Sequence, residues 1–118
     1  MEPTPDLSKV ARGRAGEDAA ADWYRARGFD ILKRNWRIAE GEIDLICARP
    51  GLLVICEVKA RRTDRHGDPS EAVTRAKQVR LRRLAAAYLG RSDRRFPEVR
   101  FDVACILGAT LTVIEGAF

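Results

Sequence analysis

The chain of 118 residues is 46% hydrophobic and 33% charged, and 22 Lys and Arg against 17 Asp and Glu give a net charge of +5. This length suits one domain, and the apolar fraction is too high for a disordered chain. No apolar run reaches the ~20 residues of a membrane span, and residues 1–6 lack a signal-peptide core, so a soluble, cytoplasmic protein is expected.

The first half of the chain predicts one helix and three strands after a short tail. Residues 1–9 contain two prolines and few apolar side chains, as flexible tails do, and residues 10–118 are expected to form the single domain. Residues 12–27 suit a helix that Gly28 would end, because glycine readily takes the left-handed conformation that follows a helix. Strand-like runs follow over residues 29–38, 42–48 and 52–60.

The second half predicts another helix and two short strands. Residues 68–71, Asp-Pro-Ser-Glu, have the pattern of a helix start, with an N-cap Asp, Pro in the first turn and Glu three residues on. This helix is expected to run to Leu89 and to end at Gly90. Strands are expected over residues 101–107 and 111–115. The order helix, three strands, helix, two strands predicts an α/β fold, a mixed sheet with a helix on each face.

The excess positive charge is concentrated in one segment. Residues 1–60 hold ten basic and ten acidic side chains, whereas residues 61–100 hold twelve basic and five acidic. Most of the basic residues are arginines, which bind phosphate in a bidentate way. The segment therefore favours a polyanionic partner, although a solvated helix face explains the charge equally well.

The cysteines and the single histidine show no metal-binding or disulfide pattern. Cys47, Cys56 and Cys105 each lie within an apolar, strand-like run, and no Cys-x-x-Cys pair occurs. We therefore predict small buried thiols in a reducing compartment. His66 lies in a polar loop, where a surface position is more typical than a ligand.

Two neighbouring strands carry the most informative charged residues. If they form a hairpin that is symmetric about its turn, Asp44 lies opposite Glu57. Glu42 then lies opposite Lys59, and all four side chains project from one face. Opposed carboxylates repel each other unless a cation or a shared proton lies between them. A divalent cation would resolve the repulsion, and such oxygen ligands select Mg²⁺ or Mn²⁺; ordinary ion pairs of Lys59 at an exposed sheet end are the alternative.

These residues resemble the active-site motif of the PD-(D/E)XK nucleases: Asp44, then Glu57 thirteen residues later, then Lys59 after one apolar residue. Glu17 in the first predicted helix is similar to a Glu of archaeal Holliday junction resolvases. Over residues 12–107, the chain more closely resembles the bacterial YraN-type uncharacterised family. The matching pieces are Gly16-Glu17, Arg34-Asn35, Gly41-Glu42-Ile43-Asp44, Glu57-Val58-Lys59-Ala60-Arg61, Lys77 and Arg100-Phe101-Asp102.

The resemblance implies a restriction-endonuclease-like fold and a metal-dependent endonuclease that hydrolyses structured or branched DNA. Lys59 would position or deprotonate the attacking water, or stabilise the developing charge. Gln78, together with Lys77, would orient the substrate phosphate. The catalytic residues that the resemblance implies are Glu17, Asp44, Glu57 and Lys59, and Gln78 is predicted beside them for its contact with the phosphate. The implied ligands of one or two Mg²⁺ or Mn²⁺ ions are Asp44, Glu57, Glu17 and the Val58 carbonyl.

In this hypothesis the basic segment grips phosphates around the site without reading bases. Its members are Arg61, Arg62, Arg65, Arg75, Lys77, Arg80, Arg82 and Arg83. The expected partner is DNA, and the resolvase resemblance leaves a homodimer open. Two other functions stay open: a nucleic-acid-binding module of the same fold that does not cut, and an adaptor for an acidic protein.

The roles of a few residues near these motifs stay open as well. Asp102 follows Phe101 in a strand, where it either accepts structural hydrogen bonds or contacts metal. The aromatic side chains in the first half are expected to pack in the core rather than to stack on bases. These side chains are Trp23, Tyr24 and Trp36.

Overall fold

The computed structural model describes residues 8–61 and 73–118, with side chains over residues 13–60 and 73–118. In chain order the elements are α1 (Ser8–Arg25), β1 (Asp30–Ile38), β2 (Gly41–Arg49), β3 (Leu52–Arg61), α2 (Arg75–Arg91), β4 (Glu98–Leu107) and β5 (Thr110–Ile114). Neither α1 nor α2 combines the length and the apolar character that a helix needs to cross a membrane.

The five strands form one mixed sheet in the order β1-β2-β3-β4-β5. Only the β3–β4 pair is parallel, and the other three neighbouring pairs are antiparallel. A parallel pair needs a crossover connection, and α2 lies in the segment between β3 and β4. The predicted mixed sheet is therefore confirmed.

Each helix covers one face of the sheet, as predicted. The two apolar layers follow from the alternation of side chains along the strands, since neighbouring residues of β3 belong to different layers. The layer beneath α1 includes Ala20, Ala21, Tyr24, Leu45, Val54, Cys56 and Ala104. The layer beneath α2 includes Leu81, Leu84, Ala85, Ile43, Ile55 and Val103.

The helices differ from their predicted boundaries. α1 begins at Ser8 and ends at Arg25, and Gly28 takes the left-handed conformation, with φ +84°, in the turn that follows. The predicted start of α2 is wrong: Thr74 is the N-cap, and its hydroxyl accepts a 3.2 Å hydrogen bond from the Lys77 backbone N–H. Residues 68–71, which carry the predicted start, lie outside the described residues.

Two elements extend beyond their predicted limits because hydrogen bonds are available there. α2 passes through Gly90 to Arg91, and the Ser92 backbone N–H closes its last turn by donating to the Leu89 carbonyl. β4 begins at Glu98, three residues before its predicted start, because residues 98–100 pair with the start of β3.

The three cysteines are buried and free, as predicted. Burial raises the pKa of Cys47 and of Cys56 above the ordinary thiol value, so both remain protonated at neutral pH. Tyr24 is fully buried, which confirms its predicted place in the core. Trp23 and Trp36 are partly buried and pack edge-on against tyrosine rings. His66 lies outside the described residues.

Candidate active site

The candidate site lies at an irregularity in the paired strands β1 and β2, where their side chains switch from one face of the sheet to the other. Arg34 pairs with Leu45, and both belong to the α1 side of the sheet. Two residues along, Trp36 pairs with Ile43, yet both pack on the α2 side. Residues two apart share a face in a regular strand, so the ribbon is irregular between these pairs. Asn35 lies at this point with φ +51°, a left-handed conformation that asparagine tolerates better than most residues.

Asp44, which lies across from Asn35, reaches the next strand through its side chain. Regular pairing of β2 with β3 runs from Arg49 to Leu45 in the predicted symmetric register and ends there. One step further, the Val58 backbone N–H donates to Asp44 Oδ2 at 2.8 Å. The carboxylate thus takes the place of a ladder carbonyl, because the irregularity of β2 brings this side chain toward β3.

The ladder ends before the two predicted facing pairs, Asp44 with Glu57 and Glu42 with Lys59, but their carboxylates still converge. Asp44 and Glu57 line one cavity between β2, β3 and α2, and Glu42 also lies on its wall. Burial and the negative charge of Glu57 raise the pKa of Asp44 to about 7, although the Val58 N–H opposes the shift. Asp44 thus changes its charge near neutral pH, which is typical of groups at functional sites.

Two lysines face the buried Glu57 carboxylate. Lys77 Nζ lies 2.5 Å from Glu57 Oε1, and Lys59 Nζ lies 3.7 Å from the same oxygen. Burial lowers the pKa of Lys59, and the neighbouring Lys77 ammonium lowers it further. Burial also disfavours the charge of Lys77, but its bond to Glu57 outweighs this and raises the pKa of Lys77. Of the two, Lys59 therefore gives up its proton more readily.

Glu17 approaches the site from α1. Asn35 Nδ2 donates to Glu17 Oε2 at 2.9 Å, and Arg34 Nη2 lies 3.5 Å from the same oxygen. The charge of Glu17 also helps to raise the pKa of Asp44, after burial and the charge of Glu57. From the sequence, Asn35 was predicted only as part of the matching piece Arg34-Asn35. Asparagine is disfavoured in strands, so its presence inside a strand-like run was the signal of an irregular position.

Gln78 does not line the cavity. Its Nε2 donates to the Val73 carbonyl at 3.2 Å, so it stabilises the backbone just before α2. Asp102 is fully buried and accepts hydrogen bonds from Tyr24, Arg100 and the Gly116 N–H. Of the two roles left open for Asp102, the structure supports the structural acceptor.

The predicted phosphate-gripping residues fall into separate groups. Arg80 lines the cavity beside Lys77, while Arg75 and Arg83 are exposed on α2. The Arg82 guanidinium packs over the Phe101 ring, 4.7 Å from its centroid. The side chain of Arg61 and the whole of Arg62 and Arg65 lie outside the described residues.

The carboxylate pair offers the oxygen ligands that Mg²⁺ and Mn²⁺ prefer. Within residues 8–61 and 73–118, no group of three or more His, Cys, Asp or Glu side chains has a metal-binding arrangement. In the described contacts, Asp44 uses Oδ2 for the Val58 N–H, and Glu57 uses Oε1 for the lysines. Both carboxylates line one cavity, so these two residues fit a divalent cation as a pair.

The sequence matches a known protein family along most of its length. The model of a family described as "Uncharacterised protein family UPF0102" matches residues 16–106. A UPF0102 protein of Symbiobacterium thermophilum is 55% identical over 91 residues, which cover 77% of each chain. A UPF0102 protein of Beutenbergia cavernae is 46% identical over 100 residues, which cover 85% of each chain. One of Dictyoglomus thermophilum is 41% identical over 95 residues, or 80% of each chain.

Proposed function

The chain belongs to the uncharacterised protein family UPF0102, the YraN-type family that its sequence resembles, and we propose that it is a metal-dependent endonuclease of the PD-(D/E)XK class with a restriction-endonuclease-like fold. The proposed substrate is structured or branched DNA, and the proposed cofactor is Mg²⁺ or Mn²⁺. One observation carries the proposal: Asp44 and Glu57 converge in one cavity, and the Lys59 ammonium lies beside them.

The electrostatics of the cavity support a divalent cation at the carboxylate pair. Asp44 is costly to ionise there because it is buried and faces Glu57. A dication bound to the pair would neutralise both carboxylates and would lower the pKa of Asp44. When bound, such an ion would lower the pKa of a coordinated water and neutralise charge on a phosphodiester.

Lys59 is placed for the proton and charge chemistry of phosphodiester hydrolysis. Its ammonium is partly buried and lies 3.7 Å from Glu57 Oε1. Because burial and the Lys77 ammonium lower its pKa, Lys59 is poised to accept a proton from an attacking water. In its charged form it would instead stabilise negative charge on the phosphate.

The surface beside the cavity supports a polyanionic substrate. α2 carries six basic side chains and no acidic one, and its first turn borders the cavity at Lys77. Arginine side chains bind phosphates whatever the base sequence of the DNA is. This surface would therefore position the DNA backbone rather than read its bases.

The test is cleavage by the purified protein in Mg²⁺ or Mn²⁺ on junction, flap, single-stranded and duplex DNA. We expect cleavage of at least one branched substrate, and a loss of at least ~100-fold in Glu57→Gln and Lys59→Met. Glu40→Gln is the matched control, since this exposed carboxylate in the β1–β2 turn lies outside the cavity wall. The proposal is wrong if no DNA is cut or if Glu57→Gln cuts at the wild-type rate.

A nucleic-acid-binding module that does not cut is the second candidate. It is favoured by the bond between Lys77 and Glu57, which neutralises a carboxylate that a nuclease would use for metal. This candidate predicts salt-dependent binding of DNA without a divalent cation, unchanged in Glu57→Gln and weakened in Arg83→Glu. Cleavage that requires Glu57 would exclude it.

A further inference from the structure

A lysine of α2 forms an ion pair with a glutamate of β3 inside the candidate site. Glu57 has a side chain only 6% exposed, and Lys77 Nζ lies 2.5 Å from its Oε1. The Lys77 side chain is 30% exposed and also lines the cavity. A buried carboxylate without a counter-ion is costly, and Lys77 meets this need in the described structure.

We propose that Lys77 is a built-in counter-ion that holds the Glu57 carboxylate until a divalent cation binds, and that it competes with that cation for Glu57. This inference rests on the proposed function in one respect, since it takes the Asp44 and Glu57 pair as the site of the cation. It adds that the chain's own ammonium sets how tightly the divalent ion binds.

The geometry makes the two cations exclude each other at Glu57. Magnesium binds carboxylate oxygens at ~2.0–2.1 Å, so an ion on Oε1 would lie within a few ångströms of the Lys77 ammonium. Two positive charges at that range repel each other strongly in a partly buried cavity. Lys77 therefore leaves Oε1 when the ion binds there.

Lys77 has the freedom to move and Glu57 does not. Lys77 lies in the first turn of α2 and carries its charge on a flexible, partly exposed side chain. Glu57 is nearly fully buried and lies within β3, which has a neighbouring strand on each side. The displaced ammonium would stay beside the cavity, where it could face a phosphate bound there.

Binding of Mn²⁺ alone, followed by electron paramagnetic resonance of the free ion, tests the competition. We expect Lys77→Met and Lys77→Gln to bind Mn²⁺ about tenfold more tightly than wild type, because each removes the competing charge; tenfold corresponds to about 1.4 kcal/mol. Lys77→Arg keeps a cation and is expected to bind much as wild type does. Lys33→Met removes an exposed lysine of β1 and is the matched control.

A second measurement uses the wild-type protein and does not depend on the variants folding. Saturation with diamagnetic Mg²⁺ is expected to shift the side-chain NMR signals of Lys77 and to leave those of Lys33 unchanged. Unchanged Lys77 signals in a protein that binds Mn²⁺, or equal Mn²⁺ affinity in folded Lys77→Met and wild type, would overturn the inference and leave the proposed function standing. If wild type and Lys77→Met both bind no Mn²⁺ at millimolar concentration, the metal site and the proposed function both fail.

Discussion

The Asp44 carboxylate lies where its protonated form is favoured, and Asp44→Asn is therefore expected to stabilise the protein above neutral pH. Burial and the charge of Glu57 raise the pKa of Asp44 from an ordinary 3.8 to about 7. Below pH ~4 the group is protonated in the folded and unfolded states alike. Between pH ~4 and ~7 only the folded protein keeps the proton, so the stability falls as the pH rises through this window.

The size of the effect follows from the shift. About three pKa units at ~1.36 kcal/mol each give a cost of about 4 kcal/mol for ionising Asp44 in the folded state. Partial exposure reduces this cost, and the asparagine loses a charged acceptor for the Val58 N–H. We expect a net gain of about 2 kcal/mol for Asp44→Asn at pH 8, or roughly 8 °C in Tm. Near pH 4 the gain vanishes.

Urea unfolding followed by tryptophan fluorescence, in EDTA at pH 4, 6 and 8, measures the difference in stability between Asp44→Asn and wild type. Glu40→Gln removes an exposed carboxylate from the neighbouring turn and is expected to leave the pH dependence unchanged. An Asp44→Asn protein that is no more stable than wild type at pH 8, or a difference that does not grow from pH 4 to 8, would refute the reasoning.

Three further substitutions test the structure around the site by urea unfolding. Gly41→Ala is expected to cost about 2 kcal/mol, because φ is +151° and a Cβ would lie 3.3 Å from two α2 side chains; a cost below ~0.5 kcal/mol would contradict this close packing. Tyr24→Phe is expected to cost about 1–2 kcal/mol, since it removes a 2.5 Å hydrogen bond to buried Asp102, and an unchanged midpoint would show the bond to be dispensable. Asn35→Gly keeps the left-handed backbone, whereas Asn35→Ala strains it, so the Ala variant is expected to be about 1 kcal/mol less stable than the Gly variant. Both lose the bond to Glu17, and equal stability of the two would contradict strain at this position.

Most of the fold could be predicted because it depends on local patterns. The strand-like runs predicted the strands, and a hairpin symmetric about its turn predicted the register of β2 with β3. Each helix packs an apolar stripe on the sheet, as the helical period of its apolar residues requires. The predicted start of α2 came from residues 68–71, whereas the N-cap of α2 in the structure is Thr74.

The candidate site was predictable in its residues but not in its geometry. The spacing of Asp44, Glu57 and Lys59 indicated a shared face, and the structure brings Asp44 and Glu57 to one cavity and Lys59 beside Glu57. The β2–β3 ladder ends one step before the predicted pairing of Asp44 with Glu57, next to the left-handed Asn35 and the change of face in β1 and β2. The expected alternation of side chains along a regular strand does not indicate where such a change of face occurs.

The sequence by itself determined the elements of this protein, the buried cysteines and the concentration of positive charge after β3, since each follows from residue type and local spacing. Only the tertiary structure decided which cation meets Glu57 and that Asp102 serves the core. Lys77 and Glu57 are twenty residues apart and belong to different elements. Their contact depends on how α2 packs against the sheet, and that packing is set by the whole apolar layer rather than by any short segment.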